Sequence, residues 1–178
     1  MDNLEKNYYA DLVAIFDKQK EQILNKVKKL LADKLTIEDL FYSKVLDGEN
    51  ESILLWQPLR SKVLSTISKL MQESYLFGQE TALDELKIDE TSILDKEGKS
   101  LIKDRSKILT DQFFNNIKYR VELVLTSFNS ENKTSEDTIN DIKSQFETIQ
   151  NKNLVDIINS ESMLFLNKGR AKIAQENI

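Results

Sequence analysis

The chain has 178 residues, of which 40% are apolar and 31% are charged, with a net charge of −5. This composition excludes a disordered or membrane-embedded chain, and the length is enough to bury a continuous core. The chain has no cysteine and no histidine. Disulfides, thiolate or imidazole metal sites, and catalysis by either residue are therefore excluded.

Only four glycines and one proline occur, too few for the frequent turns of a sandwich or a barrel. We therefore predict an all-α fold, a bundle of about five to seven helices without a sheet, several of them long. We expect a single helical domain over 1–178, with two lobes, 1–90 and 99–178, as the alternative division.

The first half of the chain has apolar side chains at helical spacing. The first long helix is predicted over residues 3–33, and the residues expected to face inward are Tyr9, Leu12, Phe16, Ile23, Val27 and Leu30. Gln19 and Lys26 occupy the positions of a second seam, which argues against a coiled coil. A short helix is predicted at 36–46.

A second long helix is predicted from Pro58, which fits a first turn. Its predicted buried side comprises Leu59, Val63, Ile67, Leu70 and Phe77. Gly78 lies inside this pattern, where glycine costs about 1 kcal/mol relative to alanine. Either the helix breaks at Gly78 or another backbone passes close to it, and we favour the close approach.

The second half of the chain predicts three more helices. The first, at about 99–128, has a broad apolar arc that includes Leu123 and Leu125, which favours a central position. After a polar connection, Ser135 is expected to cap a short helix, whose predicted inward residues are Ile139, Ile142, Phe146 and Ile149. The sequence QNKN is expected to break the chain before a last helix at about 152–175.

Charge is unevenly distributed along the sequence. Residues 80–95 contain six acidic residues and one lysine, whereas residues 18–34 contain six lysines. Such segments are usually solvated helix faces, but either could meet a charged partner. Weak, non-specific DNA contact through the lysine-rich first helix is one such interaction.

One carboxylate interrupts the apolar face of the last helix. Glu161 follows Ile157 and Ile158 at helical steps and precedes Leu164 and Phe165. An ionised carboxylate buried there needs a partner, because isolated burial costs several kcal/mol. Arg120, on the predicted central helix, is one candidate partner; a solvent-filled groove around Glu161 is the alternative.

The stretch NLVDIINSESMLFLNKGRAKIAQENI resembles the shared stretch of phage head morphogenesis proteins of the Mu F type, the minor head proteins associated with the portal. That pattern is Ile-Ala-Arg-Thr-Glu, then Asn and Gly six and eight residues beyond Glu, often followed by Arg. The matching residues are Ile157, Ser160, Glu161, Asn167, Gly169 and Arg170. Ile158 and Asn159 depart from the pattern, and Gly169 also fits a helix C-cap.

The resemblance extends over residues 100–178 and implies a phage or prophage virion structural protein that assists head morphogenesis, with DNA delivery as a further role. The implied partners are portal or capsid proteins, and the implied location is the host cytoplasm during assembly, then the virion head, without secretion. Family members continue into a segment with Trp, Asp and His. A fragment of a longer protein, a truncated prophage version and a stand-alone relative remain alternatives.

The alternative function is a generic helical protein-interaction module of cellular origin. An enzyme is not expected, since no P-loop, dinucleotide fingerprint, zinc-protease motif or serine elbow occurs. No catalytic residue, cofactor or metal site is predicted, and the oligomeric state is not specified by the sequence.

Overall fold

The computed structural model describes residues 2–33, 51–131 and 133–177. These residues are almost entirely helical and contain no strand, which confirms the predicted all-α fold. The described helices are α1 (Asp2–Asp33), α2 (Glu51–Leu86), α3 (Lys96–Glu131), α4 (Ser135–Thr148) and α5 (Val155–Glu176), with a π-helix at Ile149–Leu154. The short helix predicted at 36–46 and the side chain of Leu30 lie outside what is described.

The π-helix joins α4 directly to α5, so the predicted chain break at QNKN is wrong. Ile149 and Leu154 are 1% and 2% exposed, five positions apart. That step suits the i→i+5 geometry of a π-turn, which keeps both side chains in the interior. Because these three segments run on without interruption, the described chain has four separate helices, fewer than the five to seven predicted.

Helix α2 starts earlier than predicted and ends at a defined motif. It begins at Glu51, so Pro58 lies inside the helix and not in its first turn. At the other end Lys87 adopts a left-handed conformation, with φ of 56°. The N–H of Lys87 donates to the Asp84 carbonyl, and the N–H of Ile88 donates to the Leu83 carbonyl. This is a Schellman arrangement, and contact between Ile88 and Leu83 accompanies it.

The start of α4 is set by a capping box one residue before the predicted cap. Thr134, not Ser135, is the N-cap: its hydroxyl accepts the Asp137 N–H, and the Asp137 carboxylate accepts the Thr134 N–H. A threonine followed three residues later by a carboxylate can satisfy two helix-end donors at once, whereas Ser135 has no such partner in register.

The described residues fall into two compact units. The first unit comprises those of Met1–Leu12, Leu64–Thr110 and Leu154–Ile178, and the second those of Val13–Val63 and Asp111–Asn153. Each unit therefore combines distant parts of the chain, unlike the proposed lobes at 1–90 and 99–178. The residues that resemble the head-protein motif all belong to the first unit.

The core of the second unit is centred on aromatic side chains. Phe16 is 1% exposed, and its ring centroid lies 5.6 Å from that of Phe113 and 5.0 Å from that of Phe146. Gln19, one turn beyond Phe16 and one of the two polar residues at the second-seam positions, is also buried.

Most of the side chains predicted to face inward are buried. Confirmed positions include Leu12, Phe16, Ile23, Val27, Leu59, Val63, Ile67, Leu70, Leu125, Ile142, Phe146 and Ile149. Phe77, Leu123 and Leu164 are instead 44%, 49% and 39% exposed, so those predictions are wrong. Each lies at the edge of its helix's apolar face. Successive residues are about 100° apart around a helix, so a small error in the predicted direction of that face places an edge residue inside when it lies at the surface.

Across the described ranges, none of the helices combines the length and apolar character needed to cross a bilayer.

Candidate functional site

The candidate site is the buried face of α5 in the first unit. Ile158, Glu161, Phe165 and Gly169 recur at steps of three and four, which stacks them on one side of the helix. Glu161 is only 3% exposed. The prediction that this carboxylate lies on the apolar face is therefore confirmed, and the alternative of a solvent-filled groove is not observed.

Arg105 on α3 is the partner of Glu161. Its Nε donates to Oε2 of Glu161 at 3.0 Å, and its Nη2 donates to Oε1 at 2.6 Å. This is the bidentate geometry in which a guanidinium neutralises a carboxylate most effectively. The hydrogen bond to Glu161 raises the pKa of Arg105, against the opposing effect of burial. The buried carboxylate thus has a fixed positive partner.

The proposed partner Arg120 makes different contacts. Its Nε donates to Oδ1 of Asn116 at 2.9 Å, and its Nη1 donates to Oε1 of Gln145 at 2.8 Å. The proposal of Arg120 is therefore corrected to Arg105. Helical spacing alone could not choose between them, because both lie on α3 and the choice depends on how far α3 and α5 overlap.

Gly169 lies inside α5, seven residues before its end, so the C-cap interpretation is wrong. A Cβ atom built at Gly169 would lie 2.0 Å from the carbonyl oxygen of Tyr75 on α2. One built at Gly78 on α2 would lie 2.0 Å from the carbonyl oxygen of Leu166 on α5. The two glycines therefore allow the backbones of α2 and α5 to touch, which confirms the close approach expected at Gly78.

Arg170, adjacent to Gly169, also binds α2. Its Nη2 donates to Oε2 of Glu85 at 2.7 Å, with both side chains substantially exposed. The remaining motif residues are less constrained: Ser160 and Asn167 are exposed, and Ile157 is half-buried. The Ser160 hydroxyl donates to the Ile157 carbonyl on the same helix.

Two side chains of α5 outside the motif also make contacts that hold the helix. The Ser162 hydroxyl, fully buried, donates to Oε1 of Glu5 on α1 at 2.6 Å. Lys172 forms ion pairs with Asp95 at 3.2 Å, Glu97 at 3.7 Å and Glu176 at 3.1 Å. Sequence analysis missed Ser162 and Lys172, since neither a serine nor a lysine at helical spacing signals a partner on another helix.

Asp95 is the last residue of the segment that joins α2 to α3, residues 87–95, and it belongs to the same network of contacts. Burial opposes its ionisation, but the Gly98 N–H, Lys172 and the Tyr75 hydroxyl together hold the pKa of Asp95 below its usual value. Burial, reinforced by Asp95, raises the pKa of Tyr75 to about 12. Through Asp95, the segment 87–95 is therefore attached to α2 and α3 by hydrogen bonds and to α5 by an ion pair with a lysine.

Arg105 is the functional candidate that the sequence did not single out. It sits between Ile102 and Leu109, which are both 5% exposed, at steps of three and four along α3. A basic residue beside the apolar stripe of one helix is a signal that could be paired with Glu161, the carboxylate within the apolar stripe of another.

These contacts hold α5 against α1, α2 and α3. In the described part of the chain, no group of three or more carboxylates is arranged to hold a metal ion. Comparisons of the sequence and fold with protein-family models, curated proteins and solved structures found no match.

Proposed function

We propose that this protein is a minor head protein of a phage or prophage, a portal-associated structural component that assists head morphogenesis, with DNA delivery as a further role. It works in the host cytoplasm during assembly and then in the virion head. In this proposal the protein is not an enzyme and requires no cofactor. Portal or capsid proteins are its partners.

The observation that supports the proposal is the use made of the motif residues. Glu161 joins α5 to α3, while Gly169 and Arg170 join α5 to α2. Three of the six residues that match the head-protein pattern therefore share one structural task. A structural motif is what an assembly protein needs, because its helices must present a fixed surface to a partner.

A candidate contact surface borders the ion pair. Leu101, Arg105 and Ile108 share one face of α3, at steps of four and three, and Leu164 lies one turn beyond Glu161 on α5. Leu101, Ile108 and Leu164 are 37%, 48% and 39% exposed. We name Leu101, Ile108 and Leu164 the α3–α5 ridge. Exposed aliphatic side chains on two helices joined by an ion pair are suited to burial against another protein.

The test is to express the chain with the portal and capsid genes of its own genomic neighbourhood, purify the heads, and search them for the chain by mass spectrometry. The expected result is a fixed small number of copies in each head. Leu164→Glu should reduce incorporation severalfold, because a charge would be buried at the contact. Met163→Glu is the matched control, since Met163 is 52% exposed on another side of α5 and should be incorporated normally.

Heads that assemble without the chain, or a neighbourhood that lacks portal, terminase and scaffold genes, would contradict the proposal. The alternative, a cellular interaction module, is favoured by one observation. Leu86 and Ile93 are 51% and 67% exposed beside the carboxylates of residues 80–95. That surface suits a basic partner, and absence from heads would leave it as the better proposal.

The proposal also includes weak, non-specific contact with DNA through α1. Lys18, Lys28 and Lys29 are exposed, whereas Lys20 forms an ion pair with Asp17 at 2.9 Å.

A further inference from the structure

An open cleft of about 520 Å³ lies between the beginning of α1 and the middle of α2, within the first unit. Its volume is in the range of sites for small ligands. The cleft is separate from the motif face of α5, and none of the contacts described above uses its polar groups. Its lining combines two carboxylates, two side-chain amides, a phenol and one lysine.

One buried side chain, Tyr8, lies in the cleft lining together with the two carboxylates. Tyr8 is 8% exposed, and its hydroxyl is hydrogen-bonded to Glu73. Both carboxylates line the same cleft as this hydroxyl-bearing side chain. Burial first, then Glu73 and Asp11, raise the pKa of Tyr8. The phenol therefore remains a neutral donor and occupies one acceptor site of Glu73, leaving others available.

No salt bridge among the described residues involves either carboxylate of the cleft. Neither Asp11 nor Glu73 forms an ion pair there within 4.0 Å. Lys69 lines the same cleft, so the ionised lining carries one excess negative charge. A negative, partly enclosed cleft concentrates cations.

We propose that this cleft binds an alkyl cation, a guanidinium or primary ammonium group carried on a short aliphatic stem. Asp11 and Glu73 neutralise the cationic head, and the amide oxygens of Asn7 and Gln72 accept its remaining N–H groups. Leu4 and the ring of Tyr8 supply apolar surface for the stem. The group belongs either to a free amine or to an arginine or lysine side chain of a partner protein.

The test is an NMR titration of the ¹⁵N-labelled full chain with agmatine at low salt. Saturable shifts confined to residues 4–11 and 69–73 are expected, with a Kd on the order of millimolar because the cleft is open. Asp11→Asn with Glu73→Gln should weaken binding about fivefold or more, the effect of one ion pair in water. Asp89→Asn with Glu90→Gln, which removes two exposed acids outside the cleft, is the matched control and should bind like the original protein.

Lys69→Gln distinguishes a cation site from an anion site. Removal of the resident positive charge should tighten agmatine binding severalfold, whereas a cleft built for anions would bind succinate and lose that binding in this variant. Lys69 is exposed, so the substitution tests the cleft without threatening the fold.

N-acetylarginine amide distinguishes the two sources of the cation. Binding by this compound, which presents arginine as a protein chain does, supports a partner side chain, whereas binding by agmatine alone supports a free amine. Shifts that do not saturate, that spread over the whole chain, or that persist unchanged in the double variant would overturn the proposal.

Discussion

Glu161 is a buried carboxylate that joins α5 to α3. It is only 3% exposed, and the two hydrogen bonds from Arg105 compensate for the water it loses. Buried pairs of this kind add little net stability, but loss of one partner is costly because the other charge remains buried. The sequence predicts that Glu161 needs a partner, although not which residue provides it.

Arg105→Met is expected to lower the free energy of unfolding by about 2–3 kcal/mol, less than for a fully enclosed pair because 42% of the Arg105 side chain is exposed. Arg170→Met is the matched control. Its exposed pair with Glu85 should contribute no more than about 1 kcal/mol. Urea unfolding followed by circular dichroism measures both values, and equal losses in the two variants would contradict the role assigned to Arg105.

The choice of Arg105 over Arg120 illustrates what single-sequence analysis lacks at this scale. Periodicity identifies the face of a helix, so the inward positions of Ile158, Glu161 and Phe165 are predictable. It carries no information on how two antiparallel helices overlap along their length. That overlap depends on the residue at which α3 begins, Lys96, and on the residue at which α-helical geometry begins again after the π-helix.

At the scale of elements, the π-helix at Ile149–Leu154 sets the phase of α5. It accommodates one residue more than an α-helical turn between two buried side chains. The four residues QNKN are polar, and polar residues on the exposed side of a π-turn are as compatible with a continuous helix as with a break. The spacing of five between the buried Ile149 and Leu154 is the signal that distinguishes the two cases.

Deletion of Asn151 is expected to convert this π-helix into α-helix, since the step between its two buried ends becomes four. Helix content and the thermal midpoint should be retained. Deletion of Ser160 is the control: it rotates the preceding and following parts of α5 by about 100° relative to each other and displaces Glu161 and Gly169 from their partners. Circular dichroism during heating compares the two.

If both deletions lowered the midpoint equally, the extra residue of the π-helix would be required for packing and not merely accommodated. If deletion of Ser160 were harmless, the contacts of Glu161 and Gly169 would not determine stability.

At the scale of the whole molecule, charge is the property that sequence predicts best. Residues 80–95 hold six of the 30 acidic residues and one of the 25 basic ones, so the remaining chain has equal numbers of each. The net charge of the whole chain, −5, therefore equals the net charge of residues 80–95 alone. Only the structure shows that Asp95, at the end of this range, is bound by Lys172 and Tyr75.

The free energy of unfolding is expected to fall in acid, partly because Asp95 becomes protonated there. Its pKa in the folded protein is below the ordinary value of 3.8, so its stabilising contribution is complete above that value and disappears as pH falls through the folded pKa. Asp95→Asn should lower the thermal midpoint at pH 7 and flatten its decline below about pH 5. Asp89→Asn, which changes charge equally in an exposed position, should leave the decline unchanged; identical profiles for the two variants would contradict the assignment.

The contact of α2 with α5 has a consequence for how this protein can change over generations. At both Gly78 and Gly169, the space that a methyl group would need is occupied by the main chain of the other helix. Neither position can accept a larger residue unless the helices move apart, and such movement would also strain the neighbouring bond from Arg170 to Glu85. Homologous proteins should therefore have small residues at both of these distant positions, even where every surface residue differs.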